Sequence, residues 1–291
     1  MSAPHVTAPA PLRPDLVASD LDGTLLPPTL EFPPATVAGV AALRAAGVTF
    51  VISTGRMFRS ARRMATKLGL TDGPIICYQG ALVADLGSGE WLRHLPMDPA
   101  PAADVVRHMR ELGRHVNVYV GDELYVEDVD TWARSYAEYA EVGINPVDDL
   151  LTVVAGRPTK IVVATDPDDV EALLPGLQER WRDVLYVTRS LPHYIEINAP
   201  AATKSAALEW LGERLGTRRA RTVACGDGLN DLDMLRWAGL GVAMAEGGEA
   251  VRREADLVVP RDELGDLFVR LAAEPPDAPT GEAHAKAAPG G

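Results

Sequence analysis

Short, continuously apolar runs occur at both ends of the chain and alternate with segments of helical periodicity. The apolar runs predict strands at 16–19, 48–53, 74–78, 222–226, 241–244 and 257–259. The periodic segments predict helices at 34–46, 57–68 and 231–237. Strands that are apolar on both faces are typical of parallel sheets covered by helices, so this pattern predicts an α/β core.

The middle of the chain has a different pattern, in which apolar and polar positions alternate. VNVYV and ELYVE flank a Gly-Asp turn at 121–122 and predict a hairpin. Further strands are predicted at 160–164, 184–188 and 194–197, and further helices at 131–142 and 167–181. This mixture predicts an α+β module, residues 86–196, inserted into a core made of residues 15–85 and 197–272. The Ala/Pro-rich ends, 1–14 and 273–291, are predicted to be disordered.

The composition narrows the class of protein. The 291 residues are 47% hydrophobic, enough for a substantial core, and carry a net charge of −13. This acidic balance argues against a nucleic-acid partner, because phosphate backbones are held by basic surfaces. No apolar run approaches the ~20 residues that a membrane span needs, and the N-terminus lacks a signal-peptide pattern. Cys77 and Cys225 lie in apolar runs, as expected of buried, reduced thiols, so we expect a cytoplasmic protein.

Polar clusters stand directly after three of the predicted strands. They are DLDGT at 20–24, STGR at 53–56 and GDGLND at 226–231, while Lys204 opens a predicted helix. Ligands of an open parallel sheet bind beyond the carboxyl ends of its strands. We therefore expect these clusters to meet in one crevice, although they are far apart in the sequence.

Four carboxylates would meet in this crevice: Asp20, Asp22, Asp227 and Asp231. Because these groups repel one another they need a cation, and all-oxygen ligation selects a hard ion, Mg²⁺ before Ca²⁺ or Mn²⁺. Thr54, Lys204 and Asn230 could donate hydrogen bonds to phosphate oxygens. A carboxylate nucleophile, a metal ion and a lysine together point to phosphoryl transfer.

On these motifs the chain resembles the haloacid dehalogenase (HAD) superfamily, and within it the Cof-type phosphatases. DLDGTLL after a strand and GDGLNDLDML are specific signatures of the family. STGR and the lone lysine are weak signals alone, but all four occur in the family's order along the chain, which strengthens the resemblance. The resemblance implies a Rossmannoid parallel-sheet core, an inserted α+β cap of the C2 type (class IIB) and Mg²⁺-dependent phosphatase activity. About 150 residues separate Thr54 from Lys204, which leaves room for a cap of domain size.

The resemblance also implies catalytic and phosphate-binding roles. Asp20 would attack phosphorus and carry the phosphoryl group, and Asp22 would protonate the leaving alcohol and then activate water. The phosphate-binding residues would be Thr54, Gly55, Lys204 and Asn230.

Metal and substrate contacts are implied in the same way. The metal site would be formed by Asp20, Asp22 through its backbone carbonyl, Asp227 and Asp231. The candidates for contact with the organic part of the substrate are Arg56, Gln79 and His193.

Three positions depart from the pattern of the Cof branch. Gln79 stands where an Asn-Gly-Ala motif is usual, Glu246 stands where Met-Gly-Asn is expected, and Ser205 follows the lysine in place of glycine. These differences bear on the identity of the substrate more than on the reaction.

Other interpretations of some residues stay open. Arg56 could equally cap the following helix, and the arginines of 57–68 are typical of a solvated helix face. The aromatic residues of the helix predicted at 131–142 favour a cap core over a substrate platform, and they are Trp132, Tyr136 and Tyr139.

The leading prediction is a Mg²⁺-dependent phosphomonoester hydrolase that acts on a small phosphorylated metabolite, a sugar phosphate before a phosphorylated cofactor. A phosphomutase or phosphotransferase on the same scaffold is the second prediction, and a non-catalytic metabolite-binding regulator is the third. The expected partner is the small substrate, with no nucleic acid and no membrane, and the sequence carries no signal for an oligomeric state.

Overall fold

The structure, a computed structural model, describes residues 13–273. The strands in chain order are β1 (Leu16–Ser19), β2 (Thr49–Ile52), β3 (Pro74–Cys77), β4 (Leu82–Asp85), β5 (Trp91–His94), β6 (His115–Val120), β7 (Glu123–Val126), β8 (Ile144–Pro146), β9 (Lys160–Ala164), β10 (Tyr186–Arg189), β11 (Tyr194–Asn198), β12 (Thr222–Gly226), β13 (Leu240–Met244) and β14 (Leu257–Val259). The helices are α1 (Pro34–Ala45), α2 (Phe58–Lys67), α3 (Pro99–Glu111), α4 (Thr131–Ala140), α5 (Leu150–Val154), α6 (Pro167–Arg180), α7 (Lys204–Leu215), α8 (Leu232–Trp237), α9 (Glu249–Glu254) and α10 (Leu264–Ala273).

A five-stranded parallel sheet forms the centre of the core, in the order β14-β13-β12-β1-β2. Its strands are apolar on both faces, and helices cover both. On one face Val17 belongs to a cluster with Leu43 of α1 and Phe268 of α10. On the other face Ala18 belongs to a cluster with Leu208 of α7 and further residues of α8 and α9. The pattern of apolar runs therefore predicted the core correctly.

A small sheet connects the core to the inserted segment. Ser53 forms a parallel bridge with Ile76 of β3, and β3, β4 and β5 then pair in antiparallel order. The sequence pattern did not predict β4, β5 or α3. The strands β4 and β5 end in Asp85 and in Arg93-His94, so they are not continuously apolar runs and the hydrophobic pattern does not mark them.

A second, mixed sheet of six strands lies within the inserted segment, in the order β10-β11-β9-β6-β7-β8. The predicted hairpin is confirmed as β6 and β7, with Gly121 and Asp122 in its turn, both at positive φ. All pairs in this sheet are antiparallel except β7 with β8. The predicted fold class, an α/β core with an inserted α+β cap, is confirmed.

The domain boundaries 15–85, 86–196 and 197–272 stay a prediction, with β11 running on through Asn198. The segments predicted to be disordered, 1–14 and 273–291, lie outside the described residues except for Arg13, Pro14 and Ala273, and Ala273 ends α10. Both cysteines are buried and free, as predicted. No helix within 13–273 is long and apolar enough to cross a membrane.

The cap contacts the core at the first turn of α2. Asp122, in the cap hairpin, accepts hydrogen bonds from the backbone N–H groups of Phe58 and Arg59, both at 2.9 Å. It also accepts a hydrogen bond from the hydroxyl of Tyr78 at 2.6 Å. The N-cap residue of α2, Met57, makes no side-chain hydrogen bond, so a carboxylate of the cap takes over this role.

Charged side chains extend this contact along α2. Arg59 pairs with Glu123 of β7, and Arg63 and Lys67 pair with Glu141 at the end of α4, at 3.3 and 3.5 Å. These side chains stay partly exposed. The predicted solvated face of this helix is thus confirmed, and its exposed side chains also form ion pairs with the cap.

Candidate active site

Three strands of the core sheet end at the predicted polar clusters. Asp20 follows β1, Thr54 follows β2, and Asp227 follows β12, the strand adjacent to β1. The backbone continues the sheet pairing for one more residue, since the Asp20 N–H donates to the carbonyl of Cys225 at 2.8 Å. The parallel order of the strands thus brings these residues to one edge of the sheet, as the sequence predicted.

Lys204, the first residue of α7, is buried between two carboxylates. Its Nζ donates to Oδ1 of Asp20 at 2.5 Å and to Oδ1 of Asp231 at 2.6 Å. Thr203 caps the helix by accepting a hydrogen bond from the Ala206 N–H. Burial lowers the pKa of Lys204, but Asp20 and Asp231 raise it more, so the net pKa lies above its usual value. The lysine therefore carries its charge into the centre of the carboxylate cluster.

Asp227 and Asp231 share a loop but have different partners. Oδ2 of Asp231 accepts hydrogen bonds from the N–H groups of Asp227 and Gly228, at 3.0 and 2.8 Å, and its Oδ1 accepts from Lys204. Oδ1 of Asp227 accepts a hydrogen bond from the Thr24 hydroxyl at 2.7 Å. Burial, and then the charge of Asp231, raise the pKa of Asp227 to about 6. Asp231 therefore organises the loop, and Asp227 is the less engaged carboxylate.

Gly23 makes room for Asp227. Its φ is +93°, in the left-handed region, and a Cβ at this position would collide with the Asp227 carboxylate. The carbonyl of Gly23 also accepts a hydrogen bond from Nε of Arg261 at 2.7 Å. The glycine after the two acids thus serves both the turn and the approach of the third carboxylate.

The carboxylate cluster fits a hard divalent cation. One oxygen each of Asp20, Asp227 and Asp231 lies within 4.8 Å of the other two. Burial raises the pKa of Asp20 well above its usual range, with Asp231 and Asp227 adding to the rise and Lys204 opposing it. The protein's own groups thus leave these carboxylates short of positive charge, and all-oxygen donors suit a hard ion. Because donors engage both oxygens of Asp231, Asp20 and Asp227 are the better-placed ligands.

Asp22 lies outside this cluster of three. Its carboxylate accepts two hydrogen bonds from Arg56, Nε to Oδ2 at 2.7 Å and Nη2 to Oδ1 at 2.6 Å. The guanidinium is buried, and its Cζ lies 4.4 Å from the ring centroid of Tyr139 in α4. Arg56 thus links Asp22 to the inserted cap domain, and it is not the residue that caps the N-terminus of α2.

The predicted phosphate-binding residues lie together beside Asp20. The Thr54 hydroxyl accepts a hydrogen bond from the backbone N–H of Arg56 at 3.1 Å. The backbone carbonyl of Thr54 accepts one from the backbone N–H of Gln79, also at 3.1 Å. Nδ2 of Asn230 donates to Oε1 of Gln79 at 3.2 Å. A Cβ at Gly55 would overlap with Nε2 of Gln79, so the Gln79 amide packs directly against this glycine.

A cavity of about 330 Å³ lies between the core and the cap, a size typical of small-molecule sites. The predicted residues that line it are Asp20, Asp22, Thr54, Gly55, Arg56, Gln79, Asn230, Asp227 and Asp231. The cap contributes Tyr136, Tyr139, Lys160, Ser190, Tyr194 and Glu196.

Comparison with known proteins assigns the chain to a family. The family model of the haloacid dehalogenase-like hydrolases matches residues 17–265. The chain belongs to this family. The haloacid dehalogenase-like hydrolases that it is similar to include a 5-amino-6-(5-phospho-D-ribitylamino)uracil phosphatase, YitU, of Bacillus subtilis, which is 31% identical over 251 residues, 84% of this chain and 91% of YitU.

Two further relatives agree with this assignment. The pyridoxal phosphate phosphatase YbhA of Escherichia coli is 28% identical over 256 residues, 84% of this chain and 92% of YbhA. The crystal structure of TM0651 from Thermotoga maritima superposes with a TM-score of 0.76 at 30% identity, covering 90% of this chain and 98% of that one. This haloacid dehalogenase-like hydrolase is thus an enzyme of the phosphatase type, as its named relatives are.

Some residues of this haloacid dehalogenase-like hydrolase lie where the sequence did not indicate. His193 is exposed and stacks near Trp132, outside the cavity lining, while its neighbour Tyr194 lines the cavity. Glu246 is exposed and accepts hydrogen bonds from the Arg261 N–H. His193 is thus outside the cavity lining, whereas Glu246 precedes Gly247, at which a Cβ would stand 2.8 Å from the carbonyl oxygen of Asp227.

Sequence reasoning missed most of the cap lining. Lys160 and Glu196 lie in buried strands, and Tyr136 and Tyr139 line the cavity as well as packing within the cap. The one available signal was a charged residue in each of two otherwise apolar runs, KIVVA and YIEIN, since an unpaired buried charge is costly.

Proposed function

We propose that this protein is a Mg²⁺-dependent phosphomonoester hydrolase that acts on a small phosphorylated metabolite through an aspartyl-phosphate intermediate. One observation carries the proposal. Lys204 Nζ bridges Asp20 and Asp231, and an oxygen of Asp227 lies within 4.8 Å of oxygens of both. A nucleophile, a fixed cation and a metal-ligating pair in one buried cluster are the parts that phosphoryl transfer requires.

In the first half of the reaction, an oxygen of Asp20 bonds to phosphorus as the ester P–O bond breaks. The leaving oxygen takes a proton from Asp22, whose carboxylate Arg56 holds in a fixed plane. Lys204 stabilises the charge on Asp20 and on the phosphoryl oxygens, and Asn230 lines the same cavity.

In the second half, water gives a proton to Asp22 as its oxygen bonds to phosphorus. The bond between Asp20 and phosphorus then breaks, which releases inorganic phosphate and restores both aspartates. Asp20 and Asp227 would hold Mg²⁺, which when bound neutralises charge on the carboxylates and on the phosphate.

The size of the cavity supports a small substrate. Its roughly 330 Å³ suit a metabolite, and residues of the cap form part of its wall above the carboxylate cluster. The named activities of YitU and YbhA support a phosphorylated cofactor or related molecule alongside a sugar phosphate.

The test is phosphate release from sugar phosphates, nucleotides, phosphorylated cofactors and p-nitrophenyl phosphate. Each compound is assayed with Mg²⁺, with EDTA, and with Asp20→Asn. We expect release that needs Mg²⁺ and is lost in Asp20→Asn, together with a hydroxylamine-labile phosphoryl group trapped on the wild-type chain by acid quenching. A folded, Mg²⁺-binding protein that releases phosphate from none of these compounds would overturn the proposal.

A further inference from the structure

The cap end of the cavity contains an ion pair that leaves no spare positive charge. Lys160 Nζ lies 3.4 Å from Oε2 of Glu196 and donates to the Gly55 carbonyl at 2.6 Å. Burial lowers the pKa of Lys160, but Glu196 and Tyr136 together raise it more, so the net pKa is above its usual value. The lysine charge is thus offset inside the cavity itself.

Acidic residues outnumber basic residues in the lining of the cavity as a whole. The cationic residues that line the cavity are Arg56, which is paired with Asp22, and Lys160, which is paired with Glu196. The acidic residues that line it are Asp20, Asp22, Glu196, Asp227 and Asp231. A second anionic group on the substrate would have to lie near Glu196 without a free cation among the lining residues to receive it.

One buried polar atom beside this ion pair, Nε2 of Gln79, lacks a hydrogen-bond partner among the described residues. Both oxygens of Glu196 are engaged, since Oε2 pairs with Lys160 and Oε1 accepts a hydrogen bond from the Ser190 hydroxyl at 2.6 Å. Both side chains lie against Gly55, since a Cβ there would collide with Gln79 and stand 3.1 Å from Oε1 of Glu196. An unpaired amide donor next to a carboxylate matches a hydroxyl, which can accept a hydrogen bond from Gln79 and donate one to a carboxylate oxygen, since such an oxygen can accept more than one hydrogen bond.

We infer that Gln79 and Glu196 form a subsite that selects phosphate monoesters of neutral, hydroxyl-bearing alcohols and rejects substrates with a second anionic group. This inference rests on the proposed function and defines the substrate class more narrowly. A subsite of this kind favours hydrolysis over the phosphomutase alternative. A mutase that passes through a bisphosphate must hold a second phosphate at the cap end, which this subsite would reject.

The test uses two substrates that differ in one group, sorbitol 6-phosphate and 6-phosphogluconate, which carries a carboxylate at the far end. For the wild type we expect kcat/KM to favour sorbitol 6-phosphate by at least about 100-fold. Glu196→Gln removes the negative charge and frees Lys160, so this preference should fall below about tenfold. Gln79→Met removes the donor and should raise KM for sorbitol 6-phosphate with a smaller change in kcat.

The matched control is Glu213→Gln, an exposed glutamate of α7, which should leave the preference at the wild-type value. Equal kcat/KM for the two substrates in the wild type, or an unchanged preference in Glu196→Gln, would overturn the inference.

Binding of the same two compounds to Asp20→Asn, measured by calorimetry with Mg²⁺, separates this inference from the proposed function. Selective binding by Asp20→Asn, with no hydrolysis of either compound or of p-nitrophenyl phosphate by the wild type, would reject the phosphatase and keep the subsite. Hydrolysis of p-nitrophenyl phosphate without selectivity would keep the phosphatase and reject the subsite.

Discussion

The guanidinium of Arg56 and the carboxylate of Asp22 form a bidentate pair, with two hydrogen bonds of 2.7 and 2.6 Å. Such a pair fixes the plane of both groups. The ring of Tyr139, in the cap, lies against the other side of the same guanidinium. The proposed acid–base residue of the core is therefore oriented through an arginine that contacts the cap.

Replacing Arg56 by lysine keeps the charge but removes the fork geometry. We expect Arg56→Lys to lower kcat about 10–100-fold on alkyl phosphates, whose leaving oxygen needs a proton. The loss on p-nitrophenyl phosphate, a good leaving group, should be less than about tenfold. Steady-state kinetics on both esters measures the difference, with Arg62→Lys, on the exposed side of α2, as the control. Equal losses on the two esters would contradict a role in orienting Asp22.

Replacing Lys204 by methionine leaves Asp20 and Asp231 buried without their cation. We expect the free energy of unfolding in EDTA to fall by about 3–5 kcal/mol, and activity to be lost. The double variant Lys204→Met/Asp231→Asn should regain part of the stability and none of the activity. Denaturant titrations measure both, and Lys67→Met, an exposed ion-pair residue, should change stability by less than about 1 kcal/mol. A double variant no more stable than Lys204→Met would argue against charge repulsion as the cause.

Asp227 should make the stability of the metal-free protein depend on pH. Its pKa in the folded chain is raised to about 6, above the usual 3.8, so the folded state binds this proton more tightly than the unfolded state does. The residue therefore contributes its full stability below about pH 4 and loses it as the pH rises through about 6. Asp227→Asn cannot ionise, so between pH 5 and pH 8 it should gain about 1–3 kcal/mol relative to wild type.

Unfolding curves in EDTA at several pH values measure this gain, and Asp183→Asn, at an exposed position, is the control. A difference between Asp227→Asn and wild type that stays constant with pH would contradict the prediction. Activity with Mg²⁺ should be lost in Asp227→Asn throughout this range, since one of the proposed metal-ligating carboxylates is removed.

Asp122 should hold the cap against α2. Asp122→Ala leaves the N–H groups of Phe58 and Arg59 and the Tyr78 hydroxyl without their acceptor. We expect a loss of about 1–3 kcal/mol in stability and a higher KM, because the cap closes the cavity. Hydrogen exchange at the first turn of α2 should become faster, while Asp128→Ala, in the exposed loop after β7, should leave it unchanged. Unchanged exchange in Asp122→Ala would show that the cap is held elsewhere.

The amino-acid sequence by itself determined the core and the carboxylate cluster. Apolar runs marked the strands, and parallel pairing brings the ends of β1, β2 and β12 to one edge, so Asp20, Thr54 and Asp227 had to meet. Lys204 was predicted at the start of its helix, where the structure has it. These features follow from local pattern and from a rule of sheet topology, and both can be read along the chain.

Only the tertiary structure decided what surrounds the substrate. The Arg56–Tyr139 contact, the Asp122 cap of α2 and the Lys160–Glu196 pair each join segments distant in the sequence. Their side chains come together because the cap packs on the core in one orientation, and no local periodicity encodes that orientation. The residues of the proposed reaction therefore lie at strand ends that the sequence reveals, whereas the residues of the proposed substrate subsite are brought together by a packing geometry that it does not reveal.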